Sequence, residues 1–320
     1  MRILSGIQPS GTPHIGNYFG MMKQIVDDQY NGETFLFIAD YHALTVTPDP
    51  NLLSQRIINL ALDFLACGLD SEKVIFFKQS DIKEITELSW ILSCCTPMGL
   101  LERCHSYKDK ISNGIIPNCG LFFYPVLMTA DILMYKSDIV PVGKDQKQHV
   151  EVARDIAIKF NLQYGETFIV PEPKIKDEVA VTPGIDGRKM SKSYGNAIPL
   201  FGDQKQIRKI FMKIVTDSKT PEDPKNPDTC NIFALYKLFA NKEQTEAMAE
   251  KYKAGGLMYG NAKQELFDLY TAHFSPMQKK RDELAKNLDY VKNILRKGAE
   301  KASEVARKTI QEVREKVGLK

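Results

Sequence analysis

The chain has 320 residues, 43% of them hydrophobic and 26% charged, with 43 Lys and Arg against 40 Asp and Glu. That length and balance fit one or two globular domains with a sizeable core and exclude a disordered or fibrous chain. No apolar run reaches the ~18–20 residues of a membrane span, and the opening MRILSGIQPSG lacks the apolar stretch of a signal peptide, so a soluble, cytoplasmic protein is expected.

Residues 3–7 predict a short strand, and a glycine-rich turn leads from it into a helix over 15–28. The run TFLFIA at 34–39 is continuously apolar, as in a strand buried on both faces. Residues 51–67 carry helical periodicity and stop at Gly68. A strand over 74–77 and a helix over 81–94 follow. This β-α-β-α-β-α order predicts a parallel sheet with crossover helices. A helix over 121–135, a strand over 138–142 and a helix over 144–160 complete the series. The fold class is therefore α/β, with a Rossmann-like nucleotide-binding domain over residues 1–198.

Beyond Ile198 the buried-strand runs stop. Ile207, Ile210, Phe211, Ile214 and Val215 form one helical stripe, and residues 221–227 form a proline-rich charged loop. Val291, Ile294, Leu295, Ala299, Ala302, Val305, Val313 and Val317 mark a long amphipathic helix near the end. Residues 199–320 are expected to form an all-helical region, whose last helices could pack back on the first domain. From Ser275 onward 13 Lys and Arg face 7 Asp and Glu, a net of +6, while the rest of the chain carries −3. Such asymmetry fits either a polyanionic partner or a solvated helix surface. The six cysteines include no Cys-x-x-Cys pair, which favours buried, reduced thiols over a zinc site or a disulfide framework.

The turn after the first strand reads Gly6-Ile-Gln-Pro-Ser-Gly-Thr-Pro-His-Ile-Gly-Asn-Tyr-Phe-Gly20. Gly11 and Gly16 have P-loop spacing, but Asn17-Tyr18 stands where Lys-Ser/Thr is required, and Gly-x-Gly-x-x-Gly is absent. A strand-to-helix turn in an open α/β sheet is where phosphate-bearing ligands bind, and His14 and Asn17 have the hydrogen-bonding groups for it. The same residues could merely cap a helix. A second element, Lys189-Met-Ser-Lys-Ser193, offers two lysines three apart beside two hydroxyls, suited to charge developing on a leaving pyrophosphate.

The pair His14-Ile-Gly-Asn17 and Lys189-Met-Ser-Lys-Ser193 resembles the two signatures of class I aminoacyl-tRNA synthetases. Three further stretches are similar to the bacterial tryptophanyl branch: SGIQPSG at 5–11, LMTADILMY at 127–135 and PVGKDQKQH at 141–149. The last discriminates, because tyrosyl relatives usually carry a Gly-Ser-Asp-Gln version. The resemblance covers nearly the whole chain. It implies activation of L-tryptophan with ATP and Mg²⁺, transfer to tRNA(Trp), a homodimer, and no DNA or membrane partner.

What the resemblance implies for single residues follows. Gln8, Pro9, Ser10, Gly16 and Asn17 would meet ATP, with Gly143, Lys144 and Asp145 at its ribose and adenine side and Val181 as an added adenine contact. Lys189 and Lys192, with Met190, Ser191 and Ser193, would hold the pyrophosphate; Lys110 would reach the triphosphate, or be a plain surface lysine. His14 would act in the chemical step. No protein metal ligands are implied. Asp131 would accept the indole N–H, and Tyr124, Met128, His42, Gln146, Val140 and Val142 would complete the amino-acid pocket. Asp131 also stands out by itself. It is the one acidic or basic residue between Leu121 and Tyr135, and a buried carboxylate needs a partner, whether ligand or protein. Asn17 replaces the second histidine of the wider class. The stretch VTPGIDGR at 181–188 departs from the commoner bacterial pattern, which leaves the adenine contact open. Tyrosine activation on the same fold, a small nucleotidyltransferase and a non-catalytic RNA-binding paralogue are the alternatives.

Overall fold

The structure, a computed structural model, describes residues 1–46, 49–104, 114, 118–143, 146–174 and 182–319. Five parallel strands form its sheet: β1 (Arg2–Ile7), β2 (Glu33–Ile38), β3 (Val74–Lys78), β4 (Ile139–Pro141) and β5 (Glu172–Lys174). Their order is β3-β2-β1-β4-β5, a doubly wound sheet. Leu4 pairs in register with Phe35, Phe35 with Ile75, and Ile3 with Ile139. The apolar run in β2 is buried on both faces, as its lack of alternation implies. Phe35 and Phe37 enter one core with Leu4 and Phe77, while Leu36 and Ile38 enter the other with Val74 and Phe76.

The helices follow in chain order. α1 (Ile15–Asn17) and α2 (Lys23–Asp28) are joined by a π-helical segment over Tyr18–Met22, so residues 15–28 are helical throughout, as predicted, with a widened middle turn. α3 (Asp40–Ala43) is a single turn after β2. α4 (Pro50–Ala66) starts under an Asp49 cap on the Leu52 N–H, with proline at its first position. α5 (Glu84–Cys95) begins three residues later than predicted, after a 3-10 turn over Gln79–Asp81. α6 (Met98–Glu102), α7 (Cys119–Met134) and α8 (Lys147–Tyr164) complete the first half. β5 carries no strand signal in the sequence, since Glu172-Pro173-Lys174 contains no apolar run.

The second half is helical: α9 (Gln204–Met212), α10 (Asn231–Tyr236), α11 (Lys242–Ala254), α12 (Tyr259–Ala285) and α13 (Leu288–Val317). α12 reaches the first half through Arg281, whose guanidinium meets buried Asp63 at 2.5 Å, and through His273, 3.1 Å from the Tyr18 hydroxyl. α13 lies along the outer edge of β3. Its Val291, Ile294 and Leu295 join one core and its Ala299, Ala302, Ala306 and Ile310 the other. At the crossing, a Cβ on Gly298 would fall 1.9 Å from the Phe76 carbonyl oxygen, so no larger residue fits there. The basic tail is thus also the cover of the sheet edge. The cysteines are all free, but Cys94 and Cys119 are exposed, which corrects the expectation that every thiol is buried.

Candidate active site

The sheet reverses its winding between β1 and β4, and the loops leaving both strands open into the crevice formed there. A cavity of about 410 Å³ occupies it. Asp131, Tyr124, Met128, His42, Gln146, Val140 and Val142 all line this one cavity, joined by Gln8 and Gly143 from the set expected at the nucleotide. Tyr124, Met128 and Asp131 share one face of α7, whose N-terminus is fixed by the Asn118 side chain accepting from the Leu121 N–H at 2.8 Å. The Tyr124 hydroxyl lies 2.7 Å from His149 Nε2, which sets the ring as a wall of the cavity.

Asp131 is 1% exposed and both of its oxygens carry protein partners. His42 Nε2 lies 2.9 Å from Oδ2, and the Gln79 amide donates to Oδ1 at 2.8 Å and Oδ2 at 2.9 Å. Burial pushes the carboxyl above the usual carboxylate range, and the bonds from His42 and Gln79 oppose that rise. The two readings left open by the sequence are therefore compatible: Asp131 lines the cavity and is held by neighbours. His42 is itself anchored, its carbonyl accepting from Gln8 Nε2 at 3.1 Å and Thr45 Oγ1 at 2.8 Å. Gln79 went unnoticed in the sequence. The available cue was a polar residue directly beyond a buried strand, on the edge where ligands bind.

The opening turn meets the lysine-rich loop at a second centre. Ile15 N–H donates to the Ile198 carbonyl at 3.0 Å and Leu200 N–H to the Pro13 carbonyl at 3.1 Å, zipping the segment after the loop onto the turn before α1. Gly11 has φ +126°, and a Cβ there would stand 3.2 Å from Lys192 Nζ. Met190 is buried, and a Cβ on Gly16 would lie 3.5 Å from its Cβ. Lys192 is exposed along much of its side chain, yet desolvation on its protein side and the nearby Arg56 hold its pKa below the ordinary lysine value, with Asp63 opposing. Ser191 and Ser193 share a hydroxyl hydrogen bond of 2.8 Å, and Lys189 stands exposed on the arm of the turn. That turn is built on buried Asn196, which accepts from the Ser191 N–H at 2.8 Å and donates to Asp186 at 2.7 Å and to the Lys189 carbonyl at 3.2 Å. Pro9 is buried and Ser10 N–H closes a tight turn onto the Gln8 carbonyl at 2.8 Å.

Lys110, Lys144, Asp145 and Val181 lie outside the described residues. Among the described residues no group of three or more His, Cys, Asp or Glu is arranged to hold a metal ion. No described helix is long and apolar enough to cross a membrane.

Fold and site define a nucleotide-binding α/β domain with an amino-acid-sized cavity at its switch point, and comparison with known proteins agrees. The family model for tRNA synthetases class I (W and Y) matches residues 1–275. The tryptophan–tRNA ligases of Rhodopirellula baltica and Fusobacterium nucleatum are 53% and 54% identical, the first over all of both chains and the second over 99% of this chain and 98% of the other. The tryptophanyl-tRNA synthetase of Campylobacter jejuni, solved with ADP and tryptophan, superposes with a TM-score of 0.96 at 50% identity over all of both chains. The chain belongs to the class I tRNA synthetases of the tryptophan and tyrosine type, in their tryptophan–tRNA ligase branch.

Proposed function

We propose that this chain activates L-tryptophan with ATP, releasing pyrophosphate, and passes the tryptophan to the 3′ end of tRNA(Trp). The observation that carries the reading is Asp131, a buried acceptor in a cavity whose lining also brings Tyr124, Met128, Phe37 and Val140 together as walls for a flat apolar ring. Indole N–H is a donor only and a flat apolar body surrounds it, so both halves of the ligand find a match.

The tryptophan carboxylate attacks the α-phosphorus, the bond to pyrophosphate breaks, and tryptophanyl-adenylate forms. No covalent help from the protein is needed, so positioning and charge stabilisation do the work. Gln8, Pro9, Ser10, Gly16, Asn17 and Gly143 border the space for ATP, with Lys144, Asp145 and Val181 assigned by the resemblance alone. Lys189, Lys192 and the resemblance-assigned Lys110 stabilise the departing pyrophosphate. Neutral His14 serves by hydrogen bonding. Mg²⁺, when bound, neutralises phosphate charge. The resemblance implies an ion carried in on the phosphates, without ligands from the protein.

Residues 1–198 form the catalytic domain in this reading, and the basic helices of residues 199–320 hold the anticodon arm. The active form is a cytoplasmic homodimer, supported by the resemblance; two exposed apolar side chains, Trp90 on α5 (71% exposed) and Met98 on α6 (57%), are candidates for the contact. Sedimentation at working concentration tests the dimer; a fully active monomer contradicts it. The activity is tested by pyrophosphate exchange into ATP, one amino acid at a time and without tRNA. Exchange with tryptophan far above tyrosine is expected, and faster exchange with tyrosine overturns the reading.

A further inference from the structure

We propose that Gln79 is a specificity-determining positioning residue, which acts through Asp131 to make the cavity select an aromatic side chain bearing an N–H donor. The inference rests on the tryptophan reading of the cavity and adds a residue that touches no substrate.

Gln79 is completely buried at the carboxyl end of β3. Its Nε2 spans the carboxylate of Asp131, at 2.8 Å from Oδ1 and 2.9 Å from Oδ2. Its Oε1 accepts the Tyr41 backbone N–H at 3.1 Å. That N–H fixes which way the amide faces, because the reversed amide would set oxygen against carboxylate and NH₂ against N–H. The neighbouring residue is pinned as well. Asp40 Oδ1 accepts the Ser80 N–H at 2.9 Å, and Oδ2 accepts the Ser80 hydroxyl at 2.5 Å. Asp40 and Gln79 also share the Tyr41 N–H, so the strand end and α3 form one rigid seat.

The consequence lies in the acceptor count. An ionised carboxylate has about four lone-pair sites. Gln79 takes one on each oxygen and His42 a second on Oδ2, 2.9 Å away. One acceptor remains, on Oδ1, of a residue that lines the cavity. A ring without a donor leaves that acceptor unmet, which is how a hydrogen-bonding site rejects an analogue that lacks the group. Without Gln79, His42 alone would hold one oxygen. The carboxylate could then turn, and the single direction of acceptance would be lost.

The test uses the full chain in tryptophan-dependent pyrophosphate exchange with Mg-ATP, comparing tryptophan with 3-benzothienylalanine, in which sulfur replaces the indole N–H. The wild type is expected to prefer tryptophan by about tenfold or more in kcat/KM. Gln79→Met keeps the volume and removes the donor. Its preference should fall to about threefold or less, through a raised KM for tryptophan with KM for ATP little changed. Gln79→Glu serves as the second variant and decides the matter if Gln79→Met does not fold. The new carboxyl faces Asp131 from α7 and Asp40 and His42 from α3. Protonated, it still donates to Asp131; ionised, it repels it. Preference should therefore persist at acidic pH and fall as pH rises. A Gln79→Met enzyme with wild-type preference, or a Gln79→Glu enzyme whose preference ignores pH, overturns the proposal. A wild type that does not distinguish the two amino acids, or activates neither, removes the tryptophan reading first and this inference with it.

Discussion

His14 and Asn17 cap each other. The Asn17 N–H donates to His14 Nδ1 at 3.2 Å, and Asn17 Oδ1 accepts the His14 N–H at 3.0 Å. The arrangement needs an unprotonated Nδ1. Burial first, and the charge of Lys192 second, lower the His14 pKa from 6.5 to about 4. A depressed histidine contributes stability that is complete above the unfolded pKa and lost as pH falls through the folded one. Melting temperature should thus drop between pH 6.5 and about 4. His14→Asn keeps a cap acceptor that does not titrate, so its pH slope in that window should be shallower. An unchanged slope places the titrating group elsewhere.

Lys192 stands over Gly11 at the mouth of the opening turn, where charge would build on departing pyrophosphate. Lys192→Ala is expected to lower the rate of adenylate formation by ~10²–10³ while tryptophan binding stays near normal. Single-turnover kinetics with a separate binding titration distinguish the two. Near-normal rate with poor binding contradicts the role.

The Asp63–Arg281 pair joins α4 to α12, with Asp63 buried and Arg281 half-buried. Removing one partner strands a buried charge. Arg281→Met should cost ~3–5 kcal/mol at neutral pH, and the double variant Asp63→Leu with Arg281→Met should recover most of it. Burial already raises the Asp63 carboxyl, and Arg281 is the main group opposing it. A carboxyl raised further binds its proton more tightly folded than unfolded, so the single variant should lose more stability as pH rises. Urea midpoints at acidic and alkaline pH measure this. A loss below ~0.5 kcal/mol at both would show that the pair is solvent-screened.

On the tail, Arg307 lines an open groove with Lys83, Glu84, Glu87 and Arg314, and Arg314 is already paired with Glu87 at 2.6 Å. Arg307 and Lys308 are exposed on α13, clear of its apolar stripe. Arg307→Glu combined with Lys308→Glu should leave pyrophosphate exchange near normal and reduce transfer to tRNA, with the gap from wild type widest at low salt and narrower at high salt. Equal loss of both activities would assign these residues to the fold. No loss would leave them a solvated face.

β2 and β3 were legible because burial on both faces erases alternation, as in TFLFI at 34–38. The paired motifs were legible because each combines residue types with a position in the chain, and Asp131 because a lone acid in an apolar helix needs a reason. Gln79 was not, since its partners Tyr41 and Asp131 are remote in sequence and nothing local marks an amide as a carboxylate clamp. β5 is three residues long with a proline at its centre, and its pairing with β4 comes from tertiary placement. Asn196 has the same invisibility: it organises the lysine loop from outside the motif.

The contact of Gly298 with Phe76 has a consequence for biogenesis. Roughly two hundred residues separate the edge strand from the helix that covers it, and at ~5–20 residues per second a ribosome takes on the order of 10–40 s to make them. Through that interval β3 presents its unpaired edge to whatever is nearby, other nascent chains included. Messages truncated before α13 would yield chains that lack both the cover of this edge and the side chains α13 supplies to the two cores. Such products are the ones that quality-control proteases and chaperones should capture first.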